Sequence, residues 1–558
     1  MIRTGLDQAG NAADWREVID SHFRVLRQAD YPFAFTEKLR LHTLESEFHA
    51  LLGDIPGAAT ILSAVVSPPD ADNPTWFRNL PDPPASQSED DLRKQRRQMV
   101  WARMYYIWIH LFYAGRFDEA IRQLDALRPI IDRELPVNWN GEPVPSHGTM
   151  GRWHYFYAHC LRGNRRFVEA EEEFLAAQES AAKRLEFRMR TARSDARAGK
   201  LTEHEARSIV NYEMRFSSIC TARILSALGW VAMQQGLLVR AQQCFASARA
   251  LIEGTGQEAM KSAIRLRHAI ASRRIAPLDR DDFKTAMSEL RKSAEDYRLM
   301  GDVGGQLRCE LEIGRGHVDA AGFSDSPTAR RHHLAEALKS LKIQDELLAA
   351  GGGGGADVRR HLLWTKFYLV QAKVASHSRT ESLGQARKSF LAARLASGTQ
   401  HSRFGRTDLD LFEGLLLLRE GEYPDAAELL STVLQNSQHD PVVQAECRLL
   451  LAECYIKWQV NRERAEEHLN AWKQISATVQ NQYLHCAYDD LTARFDVWGE
   501  NFVIESTRDD LNWEVHERAL KIWLMKTARA KLKTPPTLDK LSEILGPSPS
   551  TLSRWPKV

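Results

Sequence analysis

Hydrophobic and small residues recur along this chain with the spacing of amphipathic helices arranged in pairs. In "ILSALGWVAMQQGLLVRAQQCFASARAL", Gly229 and Gly236 are followed by Ala241, Phe245 and Ala248 at steps of four and three residues. A helix of 3.6 residues per turn places such positions on one face. Small residues let two helices approach closely, and a larger side chain fills the seam between them. The pattern predicts a helical hairpin.

The same pattern returns in three other segments: "WIHLFYAGRFDEAIRQLDAL", "WHYFYAHCLRGNRRFVEAEEEFLAA" and "FEGLLLLREGEYPDAAELLSTVL". At these positions the chain resembles the tetratricopeptide repeat family, in pieces from Trp15 to Glu500. The resemblance implies an all-α fold, a right-handed superhelical solenoid of helical hairpins. Ala120 and Ala170 are 50 residues apart, and Ala170 and Ala241 are 71 apart, so several helices are expected to exceed the family's usual length.

Turn-forming residues divide the chain into five predicted segments. They are N-terminal helical hairpins at 1–80, repeats with long helices at 81–350, a glycine-rich loop at 351–357, further repeats at 358–505 and a C-terminal helix-turn-helix at 510–558. Within the second segment, "AAKRLEFRMRTARSDARAGK" predicts one long helix that Gly199 ends. Thr202 and Glu205 then predict a capping box for the next helix. The basic side chains of the long helix fit either a phosphate backbone or a solvated face.

Composition is that of a water-soluble helical protein. Hydrophobic residues make up 43% of the 558 positions and charged residues 27%, with 75 basic residues against 73 acidic ones. No apolar run approaches the roughly 20 residues that span a bilayer, and the first residues lack the apolar middle of a signal peptide, so we expect a cytoplasmic protein without a membrane partner. The seven cysteines show no metal-ligand spacing and are expected to be reduced.

Catalytic and cofactor motifs are missing from the sequence. The His-Glu pairs in "LTEHEARS" and "VHERAL" lack the second histidine that a helical zinc site requires. The glycines of "AAGGGGGADVRR" follow no strand and precede no Gly-Lys-Ser/Thr, so they do not predict a phosphate loop. We expect no enzymatic activity, no cofactor and no metal.

A binding groove is implied by the repeat resemblance. The family's inward positions correspond here to two neighbouring helices, one with Tyr105, Ile109 and Phe112 and the next with Arg152, Tyr155, His159 and Arg162. A mixed aromatic and basic groove suits a peptide with acidic groups or a free carboxylate. The same residues also fit ordinary packing and solvation positions of a superhelix.

The C-terminal segment carries a different pattern. An amphipathic helix, "NWEVHERALKIWLMKTARAKLK", ends before two prolines, and Leu541, Leu545, Leu552 and Trp555 then surround Gly546. This spacing predicts the small core of a helix-turn-helix. The run "LGPSPSTL" resembles the Leu-Gly-x-Ser-x-x-Thr-Leu turn of the Fis family. From Leu511 to Val558, nine basic residues stand against four acidic ones.

The Fis resemblance implies contacts with duplex DNA. We expect bases or phosphates to be contacted by the recognition helix and by nearby lysines, namely Ser548, Ser550, Thr551, Ser553, Arg554, Lys531, Lys533 and Lys557. One short helix reads few base pairs, which favours a homodimer on paired half-sites.

Two functions are compatible with these patterns. The first is a bacterial-type transcription regulator whose solenoid binds a peptide or protein and whose C-terminal segment binds DNA. The alternative is a scaffold for protein assembly whose last helices only cap the solenoid. The sequence names neither the ligand nor the DNA site.

Overall fold

The computed structural model describes Phe23 and residues 35–51, 55–66, 89–133, 147–278, 280–324, 326–349, 356–374, 378–397, 403–458 and 461–497. Regular structure within these ranges is helical, and no strand occurs in them. The predicted all-α fold is therefore confirmed for the described part of the chain. Of the glycine-rich loop predicted at 351–357, residues 351–355 lie outside the described residues and residues 356 and 357 are helical, and the whole predicted helix-turn-helix at 510–558 also lies outside the described residues.

Nineteen α-helices are present in the described ranges. They are α1 Phe35–Leu51, α2 Ile55–Ser63, α3 Glu89–Ile107, α4 Phe117–Arg133, α5 His147–Gly163, α6 Phe167–Arg197, α7 Glu203–Gln234, α8 Leu238–Ile252, α9 Glu258–Ile275, α10 Asp281–Leu299, α11 Val303–Phe323, α12 Pro327–Ala349, α13 Ala356–Val374, α14 Arg379–Ser397, α15 Arg403–Glu420, α16 Tyr423–Asn436, α17 Pro441–Trp458, α18 Arg462–Ile475 and α19 Gln482–Val497. A π-helix, Trp108–Phe112, continues α3.

The helices form two rows. Consecutive helices pack against each other, and each odd-numbered helix also contacts the next odd-numbered helix from α1 to α19. Helices on the concave side of a curved array lie closest together. The odd-numbered helices, here called the inner row, therefore line the concave side of a helical solenoid, and the even-numbered helices cover the outside.

Glycines on the inner row allow close helix packing. A side chain on Gly229 of α7 would meet the ring of Phe245 of α8 at 2.7 Å, and one on Gly414 of α15 would meet Leu430 of α16 at 2.7 Å. Phe245 and Leu430 are themselves fully buried. The small and large residues that recur in the sequence thus form the contact between the two helices of each hairpin.

Two long helices account for the 71-residue spacing between Ala170 and Ala241. The 50-residue spacing between Ala120 and Ala170 instead spans two 17-residue helices, α4 and α5, and the residues between them. Helix α6 has 31 residues and α7 has 32. Gly199, with a left-handed φ of 68°, follows the end of α6. Thr202 and Glu205 form the predicted capping box, in which the Glu205 N–H donates to the Thr202 hydroxyl at 3.2 Å and the Thr202 N–H donates to the Glu205 carboxylate at 2.8 Å. These sequence-based predictions are confirmed.

The last described helices turn back onto the first half of the chain. The Gln480 N–H donates to the Gly236 carbonyl at 3.0 Å, and the Val239 N–H donates to the Gln480 side-chain oxygen at 2.9 Å. Helix α19 also packs against α9 and α11. The solenoid therefore closes on itself, and the inner row surrounds a polar interior.

An ion pair supports this closure. Arg165, in the turn between α5 and α6, donates to Asp440 before α17 at 2.6 Å, and both side chains are largely buried. Arg165 has a left-handed φ of 61°, a conformation that costs a non-glycine residue about 1–2 kcal/mol. The contact joins positions 275 residues apart in sequence.

Substituting Gly236 tests the closure. An alanine Cβ there would lie 3.0 Å from the Val479 Cα, whereas Gly421, also left-handed, has open space around it. We expect Gly236→Ala to reduce the free energy of unfolding by about 1–3 kcal/mol more than Gly421→Ala, because both variants carry backbone strain but only the first overpacks a contact. Urea denaturation measures the difference, and small-angle scattering should show a larger radius of gyration for Gly236→Ala alone. Equal effects of the two substitutions would contradict the closed arrangement.

Candidate functional site

The structure brings most of the predicted groove residues together at the start of the inner row. The Arg152 guanidinium of α5 lies over the Trp101 ring of α3, 4.2 Å from its centroid, and 5.7 Å from the Tyr105 centroid. The Tyr155 and His159 rings are 4.5 Å apart on the next turns of α5. The spacing of three and four residues on α5 therefore does place these side chains on one face.

His159 occupies an aromatic environment. Its ring makes edge contacts with Trp108 at 5.2 Å and with Phe174 at 4.9 Å. Both ring nitrogens are buried without a hydrogen-bond partner. Burial, and next the charges of Arg162 and Arg267, lower the pKa of His159 well below its usual value. The imidazole is therefore neutral at neutral pH.

The π-helix positions the two remaining groove residues differently. Phe112 stacks on Trp108 at 4.0 Å and lies 6.1 Å from His159, so it belongs to the aromatic cluster. Ile109, by contrast, is only 2% exposed and packs in the hydrophobic core. The Tyr113 N–H bonds to the Trp108 carbonyl, five residues back, and this wider turn shifts the register of side chains around the helix.

Three arginines on three inner helices form a region that we call the basic inner surface: Arg162 of α5, Arg267 of α9 and Arg308 of α11. The Arg267 guanidinium donates to the Ser226 hydroxyl at 2.6 Å, and the Arg308 Nε donates to the Gly304 carbonyl at 3.2 Å. The Arg162 Nε is buried and unpartnered. Within the described ranges, no carboxylate lies within 4.0 Å of any of these three guanidinium groups.

Electrostatics show that these charges are uncompensated. Burial, followed by repulsion from Arg267, lowers the pKa of Arg162 to about 10. Burial also lowers the pKa of Arg267, and the charge of Arg308 acts in the same direction. Arg162 and Arg267 are partly buried, and holding their like charges together away from bulk water is unfavourable, whereas Arg308 at the edge of the surface is exposed. An anionic group bound here would relieve that repulsion.

Another part of the inner row carries its own ion pairs. Arg273, which is 3% exposed, donates to Glu312 at 2.7 Å and to Asp319 at 3.2 Å. Lys366 donates to the other oxygen of Asp319 at 2.7 Å. Although burial alone would raise it, the pKa of Glu312 is lowered to about 2 by the neighbouring arginines, of which Arg315 acts most strongly.

Helix α19 completes the neutralised part. The Lys366 ammonium lies 4.1 Å from the centroid of the Tyr483 ring, and Phe323 of α11 contacts the edge of that ring at 5.2 Å. Part of the C-terminal half of the interior is thus occupied by ion pairs and ring contacts of the chain itself. The basic inner surface has no such ion pairs among the described residues.

Sequence reasoning did not find Arg267 and Arg308. A signal for them exists, because Arg267 and Arg274 on α9, and Arg308 and Arg315 on α11, are seven residues apart and so share a helix face. Their proximity to Arg162 depends on the curvature of the array, which no local pattern encodes.

The basic run on α6 is largely paired rather than free. Arg184 and Arg188 both contact the buried Glu213 of α7, at 3.2 Å and 3.1 Å. Arg190 pairs with Glu186 one turn away. These contacts support the interpretation of the run as a solvated helix face over that of a phosphate-binding stripe.

The predicted DNA-contacting residues lie outside the described part of the chain. In the described ranges, no group of three or more His, Cys, Asp or Glu side chains could hold a metal ion. One described helix, α7, has the length and hydropathy of a membrane-spanning segment, but 56% of its apolar window is buried inside the protein. A core helix passes the same test, so this is weak evidence for a membrane.

Comparisons with known proteins give only distant likenesses. No family model and no curated protein matches this chain. A solved structure of a monomeric mutant of IFIT1 with m7Gppp-AAAA is 13% identical, with 99% of this chain and 97% of that chain covered and a TM-score of 0.38. A signal transduction ATPase with numerous domains and a tetratricopeptide repeat sensor, from Pyrococcus horikoshii, is 13% identical, with 89% and 86% covered and a TM-score of 0.30. Scores this low carry no argument about function.

Proposed function

We propose that this chain is a non-enzymatic binding protein whose solenoid holds an acidic peptide segment of a partner protein in its interior. The observation that carries the proposal is the basic inner surface, where Arg162, Arg267 and Arg308 lack carboxylate partners among the described residues. An arginine guanidinium matches the geometry of a carboxylate and can bind it through two parallel hydrogen bonds.

Shape supports a peptide as the ligand. The three arginines lie on three different inner helices, and a chain segment with several acidic side chains can contact each of them along the interior. Tyr155 and Trp230 lie beside the arginines, since the Arg267 guanidinium is 5.6 Å from the Trp230 centroid and lies close enough to Tyr155 to interact with it electrostatically. Aromatic rings of this kind accommodate the apolar side chains of a peptide.

Charge along the interior disfavours a nucleic acid as the ligand of this surface. Glu312, Asp319 and Glu453 line the inner row beyond the basic inner surface. A phosphate backbone is uniformly negative and is bound by continuous positive grooves. Because the cations beyond the basic inner surface are already paired with these carboxylates, no continuous positive groove is available there, whereas a peptide can carry acidic groups at one end only.

A labelled peptide tests this proposal. We use a fluorescein-labelled decapeptide that alternates glutamate with leucine, and a second one with lysine in place of glutamate. The glutamate peptide should bind the full-length chain with an affinity that falls as salt rises, and Arg162→Ala with Arg267→Ala together should weaken it at least 100-fold, since each charged hydrogen bond contributes about 1.5–3 kcal/mol. Fluorescence anisotropy measures the affinity.

Arg207→Ala is the matched control. Arg207 lies on α7 with 78% of its side chain exposed and pairs only with Glu203 one turn away, so its loss should leave peptide binding unchanged. Equal binding of the lysine peptide, or full affinity in the double variant, would show that the basic inner surface is not the binding site. A single-stranded oligonucleotide that displaced the glutamate peptide would also contradict a peptide-specific site.

We further propose, from the sequence alone, that residues 510–558 contact duplex DNA and that the protein acts as a homodimeric regulator. The support is the helix-turn-helix pattern around Gly546 and the basic excess of the segment. The scaffold alternative assigns the same residues to capping the solenoid.

Substitution of Arg554 distinguishes the DNA-binding regulator from the scaffold. With labelled duplex DNA and a salt series, Arg554→Ala should weaken binding by the full chain at least tenfold, because an arginine contact to a base contributes about 1–3 kcal/mol. Arg207→Ala should again have no effect. Absence of salt-sensitive DNA binding in the unmodified chain, or binding unaffected by Arg554→Ala, would favour the scaffold.

A further inference from the structure

A cavity of about 180 Å³ opens beside the predicted groove residues of α5, at some distance from the ion-paired half of the interior. Cavities of about 150 Å³ in protein cores hold one benzene ring. The space is therefore large enough for a ring with one short substituent, and too small for a folded peptide segment.

The two long helices build this cavity. Gly151 of α5 lies opposite Ser180 of α6, and Gly148 lies opposite Arg184, so α6 continues past the first turn of α5. Helix α7 runs beside that extension and contributes Phe216. Because the two glycines of α5 have no side chains, the space between these helices stays open. A shorter α6 would not extend far enough to form one wall of the cavity.

The walls are mainly apolar and aromatic. They are formed by Leu44, Trp101, Tyr105, Tyr155, Phe156, Ala177, Ala181, Leu185, Phe216, Ile219 and Ile224. Aromatic rings prefer edge and offset contacts with other rings, and such contacts contribute about 0.5–1.5 kcal/mol beyond the burial of apolar area. The shape and chemistry of these walls favour an aromatic ligand over an aliphatic chain.

The charged groups of the lining leave one positive charge in excess. Three arginines, Arg152, Arg184 and Arg223, face two glutamates, Glu47 and Glu213. Glu213 is 3% exposed and forms ion pairs with two arginines of α6, Arg184 at 3.2 Å and Arg188. Arg152 and Arg223 have no carboxylate within 4.0 Å in the described part of the chain.

Arg152 is held ready for a planar anion. Its guanidinium lies over the Trp101 ring, 4.2 Å from the centroid, which limits the movement of the group, and no carboxylate lies within 4.0 Å of it among the described residues. A fixed guanidinium loses little conformational entropy when it binds a carboxylate through two hydrogen bonds. A single negative charge would balance the excess of the lining.

We propose that the cavity between α3, α5, α6 and α7 binds a small aromatic monocarboxylate, with its ring between Phe156, Ala181 and Phe216 and its carboxylate on Arg152. This site is separate from the basic inner surface and does not depend on the acidic-peptide proposal. Tyr155 borders both regions.

The experiment uses the full chain and three probes of nearly equal size: phenylacetate, its neutral analogue phenylacetamide and the cation phenethylamine. Isothermal titration calorimetry at low ionic strength should show saturable one-to-one binding of phenylacetate, at least tenfold weaker binding of phenylacetamide, and no binding of phenethylamine. Equal affinities for the three probes, or no saturable binding of phenylacetate, would overturn the proposal.

Two substitutions locate the site: one changes the volume of the cavity and the other removes a charge from its lining. Ala181→Leu adds side-chain volume to the cavity and should abolish phenylacetate binding, whereas Ala182→Leu on the exposed side of the same helix turn should not. Arg152→Gln keeps a polar side chain of similar length but removes the charge, and should weaken phenylacetate at least tenfold while leaving phenylacetamide within about twofold. Circular dichroism checks that each variant is folded. Unchanged phenylacetate binding in folded Ala181→Leu or in Arg152→Gln would assign the binding to another place and refute the proposal.

Discussion

The closure of the solenoid is the constraint on which the rest of the structure depends. Two backbone turns meet where Gly236 accepts a hydrogen bond from the Gln480 amide, and the Arg165–Asp440 ion pair holds the neighbouring turn. An open array would expose its inner helices to bulk water, which screens charges strongly. In the closed array the same side chains lie close together. Burial and repulsion from Arg267 lower the pKa of Arg162, whereas attraction to neighbouring arginines lowers the pKa of Glu312.

This enclosure divides the interior into two parts with different chemistry. In the C-terminal part, Asp319 serves both Arg273 and Lys366, and Tyr483 of the returning helix α19 covers the lysine. In the N-terminal part, Arg162, Arg267 and Arg308 have no carboxylate partner among the described residues. Binding of an anionic partner, as proposed above, would recover the unfavourable energy of the cations that lack a carboxylate partner.

The hairpins could be predicted from the sequence because their determinants are local. Gly229 and Phe245 belong to one hairpin, and Thr202 caps the helix that it precedes. The α5 face with Arg152 and His159 follows from the helical period in the same way, whereas Ile109 entered the core because of a π-helical turn that has no clear sequence signature. The closure could not be predicted. The partners of its hydrogen bonds are separated by 241 residues or more, and neither the backbone contact at Gly236 nor the Arg165–Asp440 pair leaves a local pattern in the sequence.

Hydrogen exchange at the Gln480 amide tests the closed arrangement most directly, because this amide lies between two helices and its hydrogen bond to Gly236 is its link to the first half of the chain. The account predicts slow exchange in the unmodified protein and faster exchange in Arg165→Ala and in Asp440→Asn, a change that keeps an acceptor for the Val443 N–H. The double variant should exchange no faster than the faster single variant, since both changes remove the same contact. Exchange of Gln480 at the rate of an unprotected amide in the unmodified chain would contradict the closure and the enclosed basic surface that follows from it.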